Sequence, residues 1–331
     1  MTRVYFITYD LNARGGISYY SRAFLAELKS EYKSVSVVEV RHKNRWLRLI
    51  VLLLFSLSVP RGSIILSSHI NFLGILVPFK SLKNLSLATI IYNKECEQHP
   101  ILFILPKIDH FFPLFQSGFR RLLRRGVSGK NIALINNIIN HSQQAYTDIM
   151  PVSPFLIISR LDKFDLKNKG IFYLLRAVRK CKNANIIIAG SGDGEQALIR
   201  YCKKFKIDDR VDFRGFVTEA EKMNLLLYSD VFIHLSDGEG IPSISVMEAI
   251  EHNCRILAHD DGSGDIERLP ETISLILTNR YDSVLLAKTL SYLAKKKRLK
   301  TEKSFLEAKD SLGYYSARRA KNIITSRLEL K

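Results

Sequence analysis

The chain has 331 residues, 47% of them apolar, and carries 50 Lys and Arg against 32 Asp and Glu, a formal charge of +18. That length exceeds what one compact core usually takes and predicts two domains, and the ordinary apolar content excludes a disordered chain. The charge concerns partners and not fold: nucleic acid, anionic lipid headgroups or phosphorylated substrates.

A buried strand is expected over residues 4–9, after which Gly15 and Gly16 open an amphipathic helix over 18–29. A strand over 34–40, a helix over 44–58, and strands over 63–67, 88–92 and 132–137 complete the first half. Pro151 and Pro154 mark a linker. A second series follows, with strands over 155–159, 185–190, 211–213, 231–235, 255–258 and 273–277 and helical patterns between them. The tail from about 283 is helical and basic. Strands alternating with helices predict an α/β protein of two doubly wound, Rossmann-like halves, with ligands at the carboxyl ends of the strands and the reaction site in a cleft between the halves. The apolar run at 4–7 is too short for a signal peptide, and the longest, 49–59, falls short of the ~20 residues of a spanning helix. Cys96, Cys181, Cys202 and Cys254 are scattered, which argues against a disulfide framework and suits a reducing compartment.

Residues 236–249 carry the most chemistry. An apolar strand turns there through Gly and Pro into a helix, with Glu239 before the turn and Glu248 inside the helix. Free N–H groups at a helix start attract an anion, and carboxylates accept from hydroxyls. Phosphate together with hydroxyls is the chemistry of a nucleotide sugar. Glu248 has a structural alternative, because Ser245-x-x-Glu248 is a capping-box pattern. Arg160 and Lys169, after a strand and before a helix, suit a leaving pyrophosphate whose developing charge needs fixed cations; Lys167 competes with Lys169. Gly15 and Gly16 let backbone amides approach a ligand, or simply make a turn. His69, just past the third strand, is either a site residue or a capping and packing histidine. No cluster shows metal-ligand spacing; Asp260-Asp261 is the nearest candidate.

Several motifs occur in a familiar order: Arg14-Gly15-Gly16, Gly126 to Asn137, Arg160 with Lys169-Gly170, Ala189-Gly190-Ser191-Gly192, Val211-Asp212-Phe213-Arg214-Gly215, Glu239 with Glu248, and the Gly-rich stretch from Asp260 to Glu267. Together they resemble the family 4 retaining glycosyltransferases of the GT-B fold. In that family seven residues separate the two carboxylates; here eight do, from Gly240 to Met247.

The resemblance implies two Rossmann-like domains facing a central cleft. Residues 1–150, joined by a final helix at about 312–331, would take the acceptor, and residues 151–311 the nucleotide sugar. It implies a retaining, metal-independent hexosyltransferase, moving a sugar from a UDP-sugar to a lipid-linked or cell-surface polysaccharide or lipopolysaccharide acceptor, with no cofactor beyond the donor. Glu239, Arg160 and Lys169 are then catalytic. Gly240, Ile241, Pro242 and Ser243 hold the sugar and Glu248 the ribose, while Gly15, Gly16, His69, Asn137 and Gly190 line the substrates. The alternatives are a GT-B nucleotide-sugar epimerase and a basic nucleic-acid-binding protein; the latter lacks a helix-turn-helix, zinc or RNP signature, so no nucleic-acid partner is expected. A cationic start at His42, Lys43, Arg45, Trp46 and Arg48 on an apolar helix suits either an interfacial membrane helix or a buried helix with a solvated first turn. With Arg120, Arg121, Arg124 and Arg125 it predicts a cytoplasmic protein at the anionic inner face of the cell membrane.

Overall fold

The computed structural model describes residues 3–13, 15–32, 34–41, 44–92, 95, 103–139, 147–237, 242–271, 273–296 and 298–330. The chain forms two compact units, residues 1–140 with 314–331, and residues 141–313.

The first unit is a parallel five-stranded sheet: β1 (Val4–Tyr9), β2 (Val35–Val40), β3 (Ile64–Ser67), β4 (Ser86–Ile91) and β5 (His110–Pro113), in the order β2-β1-β3-β4-β5. Its strands are apolar on both faces because both are covered. Phe6, Ile90 and Phe112 point into one core with Phe24 and Leu28 of α1 (Gly16–Glu31). Their neighbours Ile7, Ile65 and Phe111 point into the opposite core with Leu52 of α2 (Arg45–Ser58), and with Leu122 of the helix at Gln116–Arg124. Between these lies α3 (Lys80–Lys83), so the Gln116–Arg124 helix is α4.

The strand expected at 132–137 is a correction. That segment forms one isolated bridge, Phe111 to Ile132, and backbone bonds from Ala133 and Ile135 to the carbonyls of Phe111 and Pro113. The regular edge strand is β5, whose four residues end in proline. The buried-helix alternative for 44–58 is also corrected. Within α2 only Leu52 and Ser56 are buried.

The second unit holds β6 (Ser153–Ile158), α5 (Ile171–Lys180), β7 (Ile186–Ala189), α6 (Glu195–Lys204), β8 (Val211–Gly215), α7 (Glu219–Tyr228), β9 (Ser229–His234), α8 (Ile244–Glu251), β10 (Arg255–His259) and β11 (Leu275–Thr278). The sheet is again parallel, in the order β11-β10-β9-β6-β7-β8. The basic tail is three helices: α9 (Ser283–Lys295), α10 (Glu302–Ser311) and α11 (Ala317–Arg327). Thr301 and Ser304 cap α10 reciprocally and Ser316 caps α11, which explains the breaks. α11 belongs to the first unit. Ala320, Ile324 and Leu328 enter the α1 core, and Lys321 and Arg318 pair with Glu31 and Glu27.

In each sheet the strand order reverses beside the first strand of the series, between β1 and β3 and between β6 and β9. Doubly wound sheets bind ligands outside the carboxyl ends of the strands at such switch points.

Candidate functional site

At the second switch point, β6 ends at Ile158 and the chain runs on through Ser159 and Arg160. The glycine loop after β7 packs against this stretch so closely that side chains have no room. A Cβ on Gly190 would lie 1.8 Å from the Ser159 carbonyl oxygen, and one on Gly192 2.3 Å from the Leu161 carbonyl carbon. Gly190 also has φ of +135°, where other residues are strained. Gly190 therefore builds the loop under Arg160. Leu161 N–H donates to the Ser191 carbonyl at 3.1 Å, and Lys163 N–H to the Asp193 carboxylate at 2.7 Å.

Arg160 stands out from this platform, with its side chain 69% exposed, and approaches Asp162 at 3.4 Å and Asp165 at 3.8 Å. These separations exceed the roughly 2.7–2.9 Å of a tight charged hydrogen bond, so the guanidinium can turn to another anion. Lys169 reaches the same Asp165 at 3.9 Å, while Lys167 is exposed. The structure thus groups Arg160 with Lys169 around one carboxylate. Gly170 then enters α5 with φ of +72°, and a Cβ there would meet the Leu235 carbonyl oxygen at 2.5 Å. That contact pins the Lys169 loop to the end of β9.

Residues 238–241, including Glu239, Gly240 and Ile241, lie outside the described residues, as does Arg14. Both flanks of 238–241 are hydrogen-bonded. On one side, Asp237 N–H donates to the Asn168 carbonyl at 2.9 Å. On the other, Pro242 is buried and Ser243 caps α8, accepting from Val246 N–H at 3.4 Å. The helix start is therefore Ser243 and not Ser245, which removes the capping-box role for Glu248. Glu248 instead pairs with Lys222 of α7 at 2.6 Å, and Lys222 also holds Glu219 at 2.7 Å. Burial raises the Glu248 pKa above the usual carboxylate range, with Lys222 opposing the rise. Burial also works against the Lys222 charge, but the two carboxylates hold its pKa above the ordinary value.

One residue joins the two loops and escaped the motif reading. Arg280, 2% exposed, follows β11. Its Nη1 donates to the carbonyls of Asn168 at 2.7 Å and Leu235 at 2.9 Å. Its Nη2 donates to the Asp237 carboxylate at 2.9 Å, which also accepts from Tyr281 Oη at 2.9 Å. Arg280 therefore ties the residue before Lys169 to the residue before Gly238. The available signal was position, a lone arginine just past the carboxyl end of an apolar strand. Beside it a cavity of ≈ 560 Å3 opens, lined by Asp237, His259, Asp260, Thr278, Asn279 and Tyr281 among others. Asp260 and Asp261 accept from Gly262 and Ser263 N–H in their own loop. Among the described residues no cluster of His, Cys, Asp and Glu could hold a metal ion.

The first switch point is built differently. Gly15 is the N-cap of α1 with φ of +135° and open space where a Cβ would lie, and no side chain caps the helix. Past β3, His69 caps a short helical turn, its Nδ1 accepting from Asn71 N–H at 3.2 Å. The proton is thereby assigned to Nε2, which lies 4.0 Å from Glu95. Burial lowers the His69 pKa, against the pull of Glu95 and with the help of Arg48. Tyr9 and Phe72 pack edge-on against the ring. Asn137 is buried elsewhere in this unit, its Oδ1 accepting from Ile138 N–H at 3.0 Å, next to Asn136, which donates to the Ser316 carbonyl. His99 and Cys96 lie outside the described residues; Cys181, Cys202 and Cys254 are free and buried.

The fold defines a class. It superposes on HepE of Anabaena, solved in complex with UDP, with a TM-score of 0.72 at 14% identity, covering 99% of this chain and 100% of that one. The lipopolysaccharide outer core galactosyltransferase WaaB matches with 0.73 at 13%, covering 99% of each chain. Sucrose-phosphate synthase from Thermosynechococcus elongatus matches with 0.69 at 14%, covering 99% and 94%. This is the GT-B fold of two Rossmann-like α/β domains. Within it, residues 155–310, which fall in the second unit, match the model of the family Glycosyl transferases group 1. No curated protein sequence matches the chain.

Proposed function

We propose that the protein is a retaining glycosyltransferase that moves a sugar from a UDP-sugar to a lipid-linked or cell-surface polysaccharide or lipopolysaccharide acceptor, without a metal. The observation that carries this reading is the grouping of Arg160 and Lys169 around Asp165 at the β6/β9 switch point, where Arg280 ties Asn168 to Asp237. The family match of the second unit and the UDP bound by HepE support it.

When the bond from the anomeric carbon to the diphosphate oxygen breaks, negative charge gathers on the departing nucleotide. Lys169, beside Asp165, and Arg160, which can turn from Asp162 and Asp165 to the diphosphate, neutralise that charge. Glu239 and the segment from Gly240 to Ser243 hold the sugar. Glu248 accepts from the ribose hydroxyls, with Lys222 paired to its carboxylate and opposing the rise that burial gives its pKa. The uncapped start of α1 at Gly15 and Gly16, with His69, serves the acceptor side.

The test is turnover of UDP-sugars by Arg160→Ala and Glu239→Gln. Loss of a preformed charge-stabilising group costs about 10²–10³-fold in rate. Near-wild-type turnover in both variants sinks the assignment. A thermal-shift comparison of UDP-, GDP- and ADP-sugars identifies the base, since a ligand at about 100 times its Kd stabilises by roughly 2.7 kcal/mol.

A further inference from the structure

α2 breaks the rule that a surface helix is polar on its outer side. Its inward stripe is Leu52 and Ser56, with Val51 and Phe55 half-buried. Its outward side carries Trp46, Leu47, Ile50, Leu53, Leu54 and Leu57, of which Trp46 is 63% and Leu54 61% exposed. After Arg48 the helix bears no charge. Contiguous apolar surface of this kind marks an interaction site.

The surroundings of that face are cationic. Residues 1–140 and 314–331 contain 24 Lys and Arg against 8 Asp and Glu, whereas residues 141–313 contain 26 against 24. Nearly all of the +18 therefore belongs to the unit that carries α2. Arg45 and Arg48 lie at the start of the helix, and Lys83 binds the carbonyls of Leu57 and Val59 at its end. α4, with Arg120, Arg121 and Arg124, packs on the same side of the sheet through Leu122.

We propose that the outward face of α2 lies in the headgroup region of an anionic lipid bilayer, held there by the basic excess of the first unit. Charge selects this occupant over a second copy of the chain, because two such units face to face repel, whereas each cation near an anionic leaflet is attracted. Fourteen residues are too few to cross a bilayer, and no described helix is long and apolar enough to do so, so the helix lies in the plane of the interface. Trp46, at the cationic end beside Arg45, is of the residue type that prefers that depth. This inference is independent of the reaction chemistry.

Trp46 is the chain's only tryptophan and so reports on this face alone. With phosphatidylglycerol-containing phosphatidylcholine vesicles, Trp46 emission shifts to the blue and is quenched by brominated acyl chains. Pure phosphatidylcholine vesicles give a much smaller change, and added salt weakens the binding. The exposed double variant Ile50→Gln, Leu54→Gln binds the anionic vesicles about tenfold more weakly or worse, and keeps the wild-type circular dichroism spectrum. An unshifted Trp46 in the presence of anionic vesicles overturns the proposal. So does undiminished binding by the double variant, or a lipid-free dimer that the double variant converts to monomer.

Discussion

The first unit holds three basic residues for every acidic one, while the second is almost balanced, and their switch points differ in the same sense. In the second unit the cations at the switch point and along α7 and α8 have carboxylates in reach: Arg160 and Lys169 near Asp165, Lys222 on Glu248, Arg280 on Asp237. Its loops interlock through glycines that admit no side chain. In the first unit, α1 starts on an uncapped glycine with free space around it. The difference teaches that a formal charge of +18 says little about the second unit, whose cations are nearly matched by carboxylates, and that the surplus resides in the first unit, on which the proposed lipid contact rests.

The contrast is sharpest at two glycines with the same φ. Gly190→Ala drives a Cβ into the Ser159 backbone and costs at least about 3 kcal/mol, strain and overpacking combined. Gly15→Ala meets nothing and costs only the backbone strain, about 1–2 kcal/mol. Urea unfolding of both variants measures this, and equal losses break the comparison.

Next comes Lys222→Met, which leaves the Glu248 carboxylate buried without its partner and costs on the order of 3 kcal/mol at neutral pH. The sign with pH follows from the raised Glu248 pKa. A carboxyl whose folded pKa lies above the unfolded value, about 4.3, loses stability as pH rises through that window, so the deficit of the variant grows from acid to neutral pH. A deficit independent of pH would show that Glu248 does not depend on Lys222.

Arg280→Ala takes the donor from the Leu235 carbonyl and leaves the Asn168 carbonyl with Asp237 N–H, and costs about 1–3 kcal/mol. Because Arg280 ties the Asn168 and Leu235 carbonyls to the Asp237 carboxylate, beside Lys169, Arg280→Lys is expected to recover stability but not the full turnover rate, since one ammonium cannot reproduce the guanidinium fork. Full recovery of both by lysine would reduce Arg280 to a packing residue.

Much of the architecture was legible because parallel strands covered on both faces read as continuous apolar runs, as at 4–9, 186–189 and 255–259. β5 was not, since Pro113 interrupts the apolar run 111–115 and argues against a strand, while the neighbouring 132–137 mimics one. Lys169 was legible from its place between strand and helix; its grouping with Arg160 needed Asp165. The partner of Glu248 was invisible, because Lys222 comes from another helix 26 positions earlier. Arg280 carries no motif at all, and its role appears only when Asn168, Leu235 and Asp237 are brought together.

α11 gives the first unit a history as well as a core. Ala320, Ile324 and Leu328 complete the packing of α1, yet they are translated after the whole of residues 141–313. At about 5–20 residues per second, the part of α1 that α11 covers stays open for roughly fifteen to sixty seconds, from the synthesis of Glu31 to that of Leu328. The second unit holds its whole core in one continuous stretch and can fold first, so the order in which the halves mature on the ribosome runs against their order in the chain.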